Sequence, residues 1–274
     1  MAHDTIEAGE RRAADGKILA SVERGVGLIT INQPSKHNAM SLDMWDGLGE
    51  VIDDFASDTS VRVVILTGAG HNAFVSGADI SQFGDVRATA AAQADYERRT
   101  RPVRDRIAAF ERPIIARIRG YCIGGGLALA LLADIRIAAQ DSSFGIPAAR
   151  LGIAYGPHSI RRLIDVVGPA HARMLLYTGI RIDAAEAARM GLINEMVPDT
   201  RLSERVLQLA RMIADNAPLS IAASKRTVSE MLREESERDT DAIERGIAAC
   251  FDSADYAEGR TAFMEKRPPR FRGR

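Results

Sequence analysis

The chain has 274 residues, 46% of them hydrophobic, with 36 basic and 37 acidic side chains and a formal net charge of −1. That is enough chain to bury a large core, as one big domain or a domain plus an appendage. The balanced charge excludes a general attraction to nucleic acid or to an anionic membrane, so a polyanionic ligand has to be met locally.

Residues 1–17 are polar and charged, lack the apolar segment of a secretory signal, and read as a flexible amino-terminal tail. No run approaches a membrane span. Residues 18–23 and 27–32 are β-rich and flank Arg24-Gly25-Val26 as a hairpin. A loop with Pro34 follows, and Ser41 then caps a helix whose Leu42, Trp45, Leu48, Ile52 and Phe55 fall three or four apart, facing the core. Residues 62–66 are a buried-type strand. After it, Gly68, Gly70 and Ala73 have the spacing of a dinucleotide fingerprint, yet Val75, Ser76 and Gly77 interrupt the long helix that fingerprint requires. A glycine-mediated turn is the better reading, with a helix beginning near Asp79 and free amides around Gly77 and Ala78.

Residues 88–110 are helical in propensity and broken by Pro102. They carry Arg98, Arg99, Arg101, Arg104 and Arg106, a solvated face or, alternatively, a basic flap near ligand phosphates. The strand at 113–118 feeds the stretch around which the chain is organised, residues 119–134. There Gly124, Gly125 and Gly126 open an all-apolar helix over 127–133. Glycines at a helix start leave amides unobstructed for an anionic oxygen, or else simply let the helix pack closely on a strand. A strand at 135–139 leaves this stretch. Helices follow at 158–167, closed by Gly168-Pro169, and at 170–177. Asp183 and Glu186 make a capping-box-like start for 184–190, and 192–197 is a further strand. Past Pro198 come three or four amphipathic helices at 202–215, 219–233, 241–251 and 256–265, and a basic tail, 266–274, reads as a frayed end. Cys122 and Cys250 permit at most one bridge, so reduced thiols in a cytoplasmic protein are expected.

Five segments stand in order: Asn32-Gln33-Pro34 with Asn38-Ala39-Met40-Ser41; Ala73-Phe74-Val75-Ser76-Gly77-Ala78-Asp79-Ile80; Gly120-Tyr121-Cys122-Ile123-Gly124-Gly125-Gly126; Phe144-Gly145-Ile146-Pro147; and Ala262-Phe263-Met264-Glu265-Lys266. On these, from roughly residue 18 to 271, the chain resembles the crotonase superfamily, the enoyl-CoA hydratase/isomerase family. The resemblance implies an α/β fold, a crotonase-like spiral of ββα units over 18–200, and a C-terminal α-helical trimerisation region over 201–274, giving a homotrimer or a dimer of trimers. It implies an acyl-CoA substrate, with coenzyme A present only as part of that thioester and no prosthetic group. In the family two backbone amides hold a thioester carbonyl as it becomes an enolate, and motif matching assigns this oxyanion hole to Ala78 and Gly125. By the same matching, Lys36, Asn38, Ala39, Ala73, Phe74, Asp79, Ile80, Tyr121, Gly124, Ile146 and Leu151 contact the substrate. Phe263 and Lys266 reach the nucleotide of a neighbouring subunit. No metal is expected, because His37, His71 and His171 show no ligand spacing.

One departure matters. Where the family's hydratases carry two glutamates, this chain has Ala128 and Ala148, and a methyl group moves no proton. The nearest candidates are Tyr155, at a position resembling the tyrosine of methylmalonyl-CoA decarboxylases, and His158, with Arg150 or His158 to orient a carboxylate. Three functions follow: lyase- or isomerase-type acyl-CoA chemistry of the fatty-acid-metabolism kind through a stabilised enolate, decarboxylation or other enolate chemistry using Tyr155, and a non-catalytic acyl-CoA-binding subunit. Cys122 reads as a small core residue, and Asp79 as the cap of the helix beside Ala78.

Overall fold

The computed structural model describes residues 10–79 and 89–274. The expected hairpin forms from β2 (Ile18–Glu23) and β3 (Val26–Ile31), and its two turn residues, Arg24 and Gly25, have φ of 49° and 82°. Two left-handed residues give the turn the twist of the strands it joins, which is why a glycine serves there. β1 (Arg11–Ala13) pairs antiparallel with β2, so part of the stretch expected to be a loose tail is sheet. Helix α1 (Leu42–Ser57) buries Trp45, Leu48, Ile52 and Phe55 as its spacing predicts. Ser41 occupies its N-cap, but the serine hydroxyl accepts no helix amide.

The chain then winds through a repeated step. β4 (Val63–Gly68) joins β3 in a large sheet, and β5 (Ala73–Val75) begins a second, smaller one. Helix α2 (Ala90–Ala109) returns the chain to the large sheet at β6 (Ile114–Ile118), and β7 (Tyr121–Ile123) enters the small one beside β5. Helix α3 (Gly125–Ala130) leads to β8 (Ile135–Ala139) and β9 (Ser143–Gly145), which extend the two sheets again. Each step is strand, strand, helix, with all pairings between steps parallel, so the strands stack into a spiral. Helix α4 (Pro157–Thr178) bends at Gly168, whose φ of 72° lets two helical segments meet where the sequence placed Gly168-Pro169. β10 (Arg181–Asp183) closes the small sheet, α5 (Ala184–Arg189) follows, and β11 (Glu195–Val197) closes the large one. The Asp183 carboxylate accepts the Glu186 amide at 2.8 Å, the first half of the expected capping box; Glu186 spends its own carboxylate on Arg189 instead.

The parallel strands are buried on both faces. In β4, Val64 and Leu66 face the core shared with α1 and α3, while Val63 and Ile65 face Leu202, Val206 and Ala210 of α6 (Asp199–Ala214). This alternation is what a period-two side chain pattern produces when both faces are covered. The packing of the large sheet therefore extends past residue 200. Helices α7 (Pro218–Met231), α8 (Thr240–Phe251) and α9 (Ala254–Glu265) complete the helical C-terminal region. Lys225 of α7 ties it to the core: its ammonium donates to the Asp134 carboxylate at 2.8 Å and to the Arg112 carbonyl at 2.9 Å. Burial pushes this ammonium below its ordinary value, against the opposing pull of Asp134.

Two expectations are corrected. Pro102 does not break α2; the helix runs through it, because Thr100, Val103 and Ile107 are buried and packing outweighs the single amide bond a proline omits. The basic tail is not frayed. Glu258 pairs with Arg267 at 2.6 Å and accepts the Arg270 amide at 2.8 Å, while the buried Asp255 accepts the amides of Arg272 and Gly273 at 2.6 and 2.7 Å. Among the described residues no helix is long and apolar enough to cross a membrane.

Candidate active site

The site forms where β5 and β7 end side by side. Gly77 has φ of 123°, a conformation open in practice to glycine, and it turns the chain so that its carbonyl accepts the Met40 amide at 2.8 Å. The Asp79 amide donates back to the Met40 carbonyl at 3.0 Å. Held on both sides by Met40, the peptide of Ala78 keeps its own N–H free of Met40.

On the neighbouring strand, Gly124 has φ of 58° and ψ of −116°, and its amide donates to the Gly145 carbonyl at 2.8 Å. The next residue, Gly125, begins α3, so its amide has no intrahelical acceptor. A Cβ on Gly126 would stand 1.9 Å from the Val75 carbonyl oxygen, which shows how closely α3 is pressed onto β5. A Cβ on Gly125 would stand 3.6 Å from the Ala78 nitrogen. Of the two roles left open by the sequence, close packing falls to Gly126, while Gly125 lies beside Ala78. Among the described residues neither amide donates to a protein acceptor.

Ala78 and Gly125 line a cleft with one apolar wall, including Ile123, Ala128, Ala148, Leu151 and Ala154, and one polar wall from α2. Both alanines at the expected carboxylate positions therefore line the cleft. So does Tyr155, whose hydroxyl lies 3.2 Å from where a Cβ on Gly124 would be. His158 is exposed and is not among the lining residues, and Arg150 turns away to donate to the Thr178 carbonyl at 3.3 Å.

Other expected contacts scatter. Lys36 donates to the Asp79 carboxylate at 2.7 Å, so part of its charge is met inside the chain. The helix that Asp79 was expected to cap, and Ile80, lie outside the described residues. Asn38 is fully buried and acts as a latch: its side-chain amide donates to Ala69 and Ala73 carbonyls at 2.9 and 2.8 Å, and its oxygen accepts the Gln33 amide at 3.0 Å. Ala39, Ala73, Phe74 and Ile146 are likewise buried and do not line the cleft. Tyr121 is partly exposed, edge-on to His37, with the Arg181 guanidinium 5.5 Å from its ring centre. Phe263 and Lys266 sit on α9 and its cap, outside this chain's cleft. Cys122 is fully buried and burial pushes its thiol well up, so no thiolate is offered. Among the described residues, no group of His, Cys, Asp and Glu is arranged to hold a metal ion.

The polar wall is what sequence reasoning missed. Gln93, Glu97, Thr100 and Arg104 form one stripe along α2 and line the cleft. Their spacing of four, three and four residues was readable, but it was hidden within a run of arginines that resembles a solvated face.

A family model described as enoyl-CoA hydratase/isomerase matches residues 21–274. The chain belongs to the enoyl-CoA hydratase/isomerase family. It is 34% identical over 254 residues to a crotonyl-CoA hydratase of Syntrophomonas wolfei, covering 93% of this chain and 97% of that protein. It is 36% identical over 253 residues to a carnitinyl-CoA dehydratase of Escherichia coli, covering 90% of this chain and 94% of the relative. The crystal structure of an enoyl-CoA hydratase/carnithine racemase from Magnetospirillum magneticum superposes with a TM-score of 0.90 at 36% identity, covering 94% of this chain and 96% of that one. The crotonase fold expected for the family is thus the fold observed.

Proposed function

We propose that this member of the enoyl-CoA hydratase/isomerase family binds an acyl-CoA thioester with its carbonyl oxygen between the amides of Ala78 and Gly125, and carries out lyase- or isomerase-type chemistry through the enolate. The observation that carries this reading is that Ala78 and Gly125 lie side by side in the lining of a largely apolar cleft, with amides that donate to no acceptor among the described residues. Preorganised donors in such a site stabilise charge that develops on the carbonyl oxygen, each by roughly 2.7–4 kcal/mol. The names of the relatives, crotonyl-CoA hydratase and carnitinyl-CoA dehydratase, support a CoA thioester as the substrate class. Coenzyme A enters only as part of that substrate. The methyl groups of Ala128 and Ala148 argue against the two-glutamate hydratase route. Exposed apolar side chains on the C-terminal helices, Phe251, Phe263 and Met264 among them, support association with further copies of this chain, which by the family resemblance would be a homotrimer or a dimer of trimers.

Decarboxylation is the second reading, favoured by the Tyr155 hydroxyl beside Gly124. Loss of carbon dioxide generates the enolate without a base, and a weak acid near the oxyanion site could then quench it. Turnover of crotonyl-CoA, a 3-enoyl-CoA and methylmalonyl-CoA, assayed side by side, separates these reactions. Absence of turnover with all three, together with tight binding of the thioesters, would replace both with a binding role.

A further inference from the structure

The cleft lacks a carboxylate on the wall where the family's motif leads one to look, and has one on the wall opposite. Among the described residues lining it, Glu97 is the sole carboxylate. It projects from the middle of the polar stripe of α2 and is held along that stripe from both directions. Gln93 Nε2 donates to Glu97 Oε1 at 3.3 Å, and Arg104 forms an ion pair with Oε2. Arg104 also donates to Thr100 Oγ1 at 3.2 Å, and Thr100 donates to the Tyr96 carbonyl at 2.9 Å. The Tyr96 hydroxyl in turn accepts the Trp45 indole N–H at 3.2 Å, which fastens this part of α2 to α1. The other charge pairs along α2 differ. In Arg98–Asp95 and Arg101–Asp105 all four side chains are 55–71% exposed, whereas Arg104 is 20% exposed and Glu97 43%. The first two are surface pairs of small energetic consequence; the third is an anchored carboxylate with one side open to the cleft.

We propose that Glu97 is the proton-transfer residue of this site, supplied from α2 in place of the side chains that Ala128 and Ala148 do not provide, with Gln93 and Arg104 as positioning residues. This rests on the enolate reading above. A single carboxylate suits a 1,3-proton shift better than a hydration, which needs one group to activate water and another to protonate carbon. The substrate class is therefore a 3-enoyl-CoA. The Glu97 carboxylate takes a proton from the α carbon, and the freed C–H pair forms the bond between the α carbon and the carbonyl carbon as negative charge moves to the oxygen at Ala78 and Gly125. The carbonyl then re-forms, the double bond moves to lie between the α and β carbons, and the γ carbon takes the same proton back from the glutamic acid. Atoms and charge balance with no co-reactant.

The test compares the full chain with Glu97→Gln and Glu97→Asp. Isomerisation of a 3-enoyl-CoA is followed, together with exchange of the α protons of butyryl-CoA in deuterated water and the Kd of butyryl-CoA. Glu97→Gln is expected to lower both kcat and the exchange rate by roughly 10²–10⁴-fold. Its Kd should stay within about threefold of the parent, well under 1.4 kcal/mol, and Glu97→Asp should recover part of the rate. Intrinsic fluorescence of Trp45 on heating verifies that each variant is folded. Unchanged exchange and turnover in Glu97→Gln would overturn the assignment while leaving the enolate reading in place. A rate loss matched by an equal loss of binding would also overturn it, in favour of a structural ion pair. If the parent chain neither exchanges α protons nor isomerises the substrate, the isomerase form of the enolate reading fails and the assignment fails with it, leaving decarboxylation of methylmalonyl-CoA as the test of the enolate itself.

Discussion

A Cβ placed on Gly125 would stand 3.6 Å from the amide nitrogen of Ala78. The first position of α3 and the segment just past β5 are thus neighbours, and Gly125→Pro tests the use of that proximity. Proline is well tolerated as the first residue of a helix, where its missing N–H has no helical partner to lose. The variant should therefore keep its melting temperature close to that of the parent. It deletes one of the two donors and puts a ring where a carbonyl oxygen would sit, so kcat with the thioester that the parent turns over should drop by roughly 10²–10³-fold. Full activity would remove Gly125 from the proposed oxyanion hole.

Ala128 offers the reverse experiment. It lines the cleft and is only half-buried, unlike Ala148, which is 4% exposed. A glutamate can be accommodated at 128, whereas at 148 it would overpack the core at a cost of about 1–3 kcal/mol. Ala128→Glu should raise the rate of crotonyl-CoA hydration by about 10²-fold or more, because a general acid–base group acts on a site that already binds the substrate. No gain in a folded variant that binds crotonyl-CoA would mean that the methyl group at 128 is not by itself what withholds hydration.

How much was legible beforehand follows from the kind of signal each feature leaves. The hairpin at Arg24 and Gly25, the α1 stripe from Trp45 to Phe55 and the bend at Gly168 are local, written in spacing and in glycine, and they are read directly. The approach of Gly125 to Ala78 is not local. It depends on β5 and β7 pairing and on Gly126 admitting the Val75 carbonyl, and only the motif order pointed to it. Local rules fail where tertiary packing overrides them: Pro102 reads as a break, yet Thr100 and Val103 bury the helix on either side of it, and the tail reads as frayed, yet Asp255 and Glu258 bind its amides. Glu97 does not stand out in the sequence, because a helix pattern alone does not tell which polar face meets a cleft and which meets water.

Asn38, expected to contact the ligand, should instead matter for stability. It is fully buried, has φ of 57°, and serves Gln33, Ala69 and Ala73 at once. Asn38→Ala leaves the buried Ala73 carbonyl and the part-buried Ala69 carbonyl and Gln33 amide without their partner, at up to about 1–3 kcal/mol for each one that stays unpaired. It also puts alanine in a left-handed conformation that asparagine tolerates better, which costs about 1–2 kcal/mol. The denaturation midpoint should fall clearly, with Kd for a CoA thioester changing only as the folded fraction changes. A stable variant with a selective binding defect would return Asn38 to the ligand.

The acid response of the C-terminal segment gives a pH test. The Arg267 side chain and the Arg270 amide both donate to Glu258 and hold its carboxyl at about 2, down from an ordinary 4.5. Because the folded value is the lower one, the linkage stabilises the folded chain fully above pH 4.5 and is lost as pH falls from there toward 2. Glu258→Gln cannot titrate, and it keeps the shape of the side chain while giving up the charge. The parent should therefore melt higher than this variant near neutral pH, and the gap should close progressively below pH 4.5. Solvent reaches this pair, so the gap will be modest and smaller at high salt. A difference in melting temperature that stays constant from neutral pH down to pH 3 would show that the stabilisation comes from packing of the side chain and not from its charge.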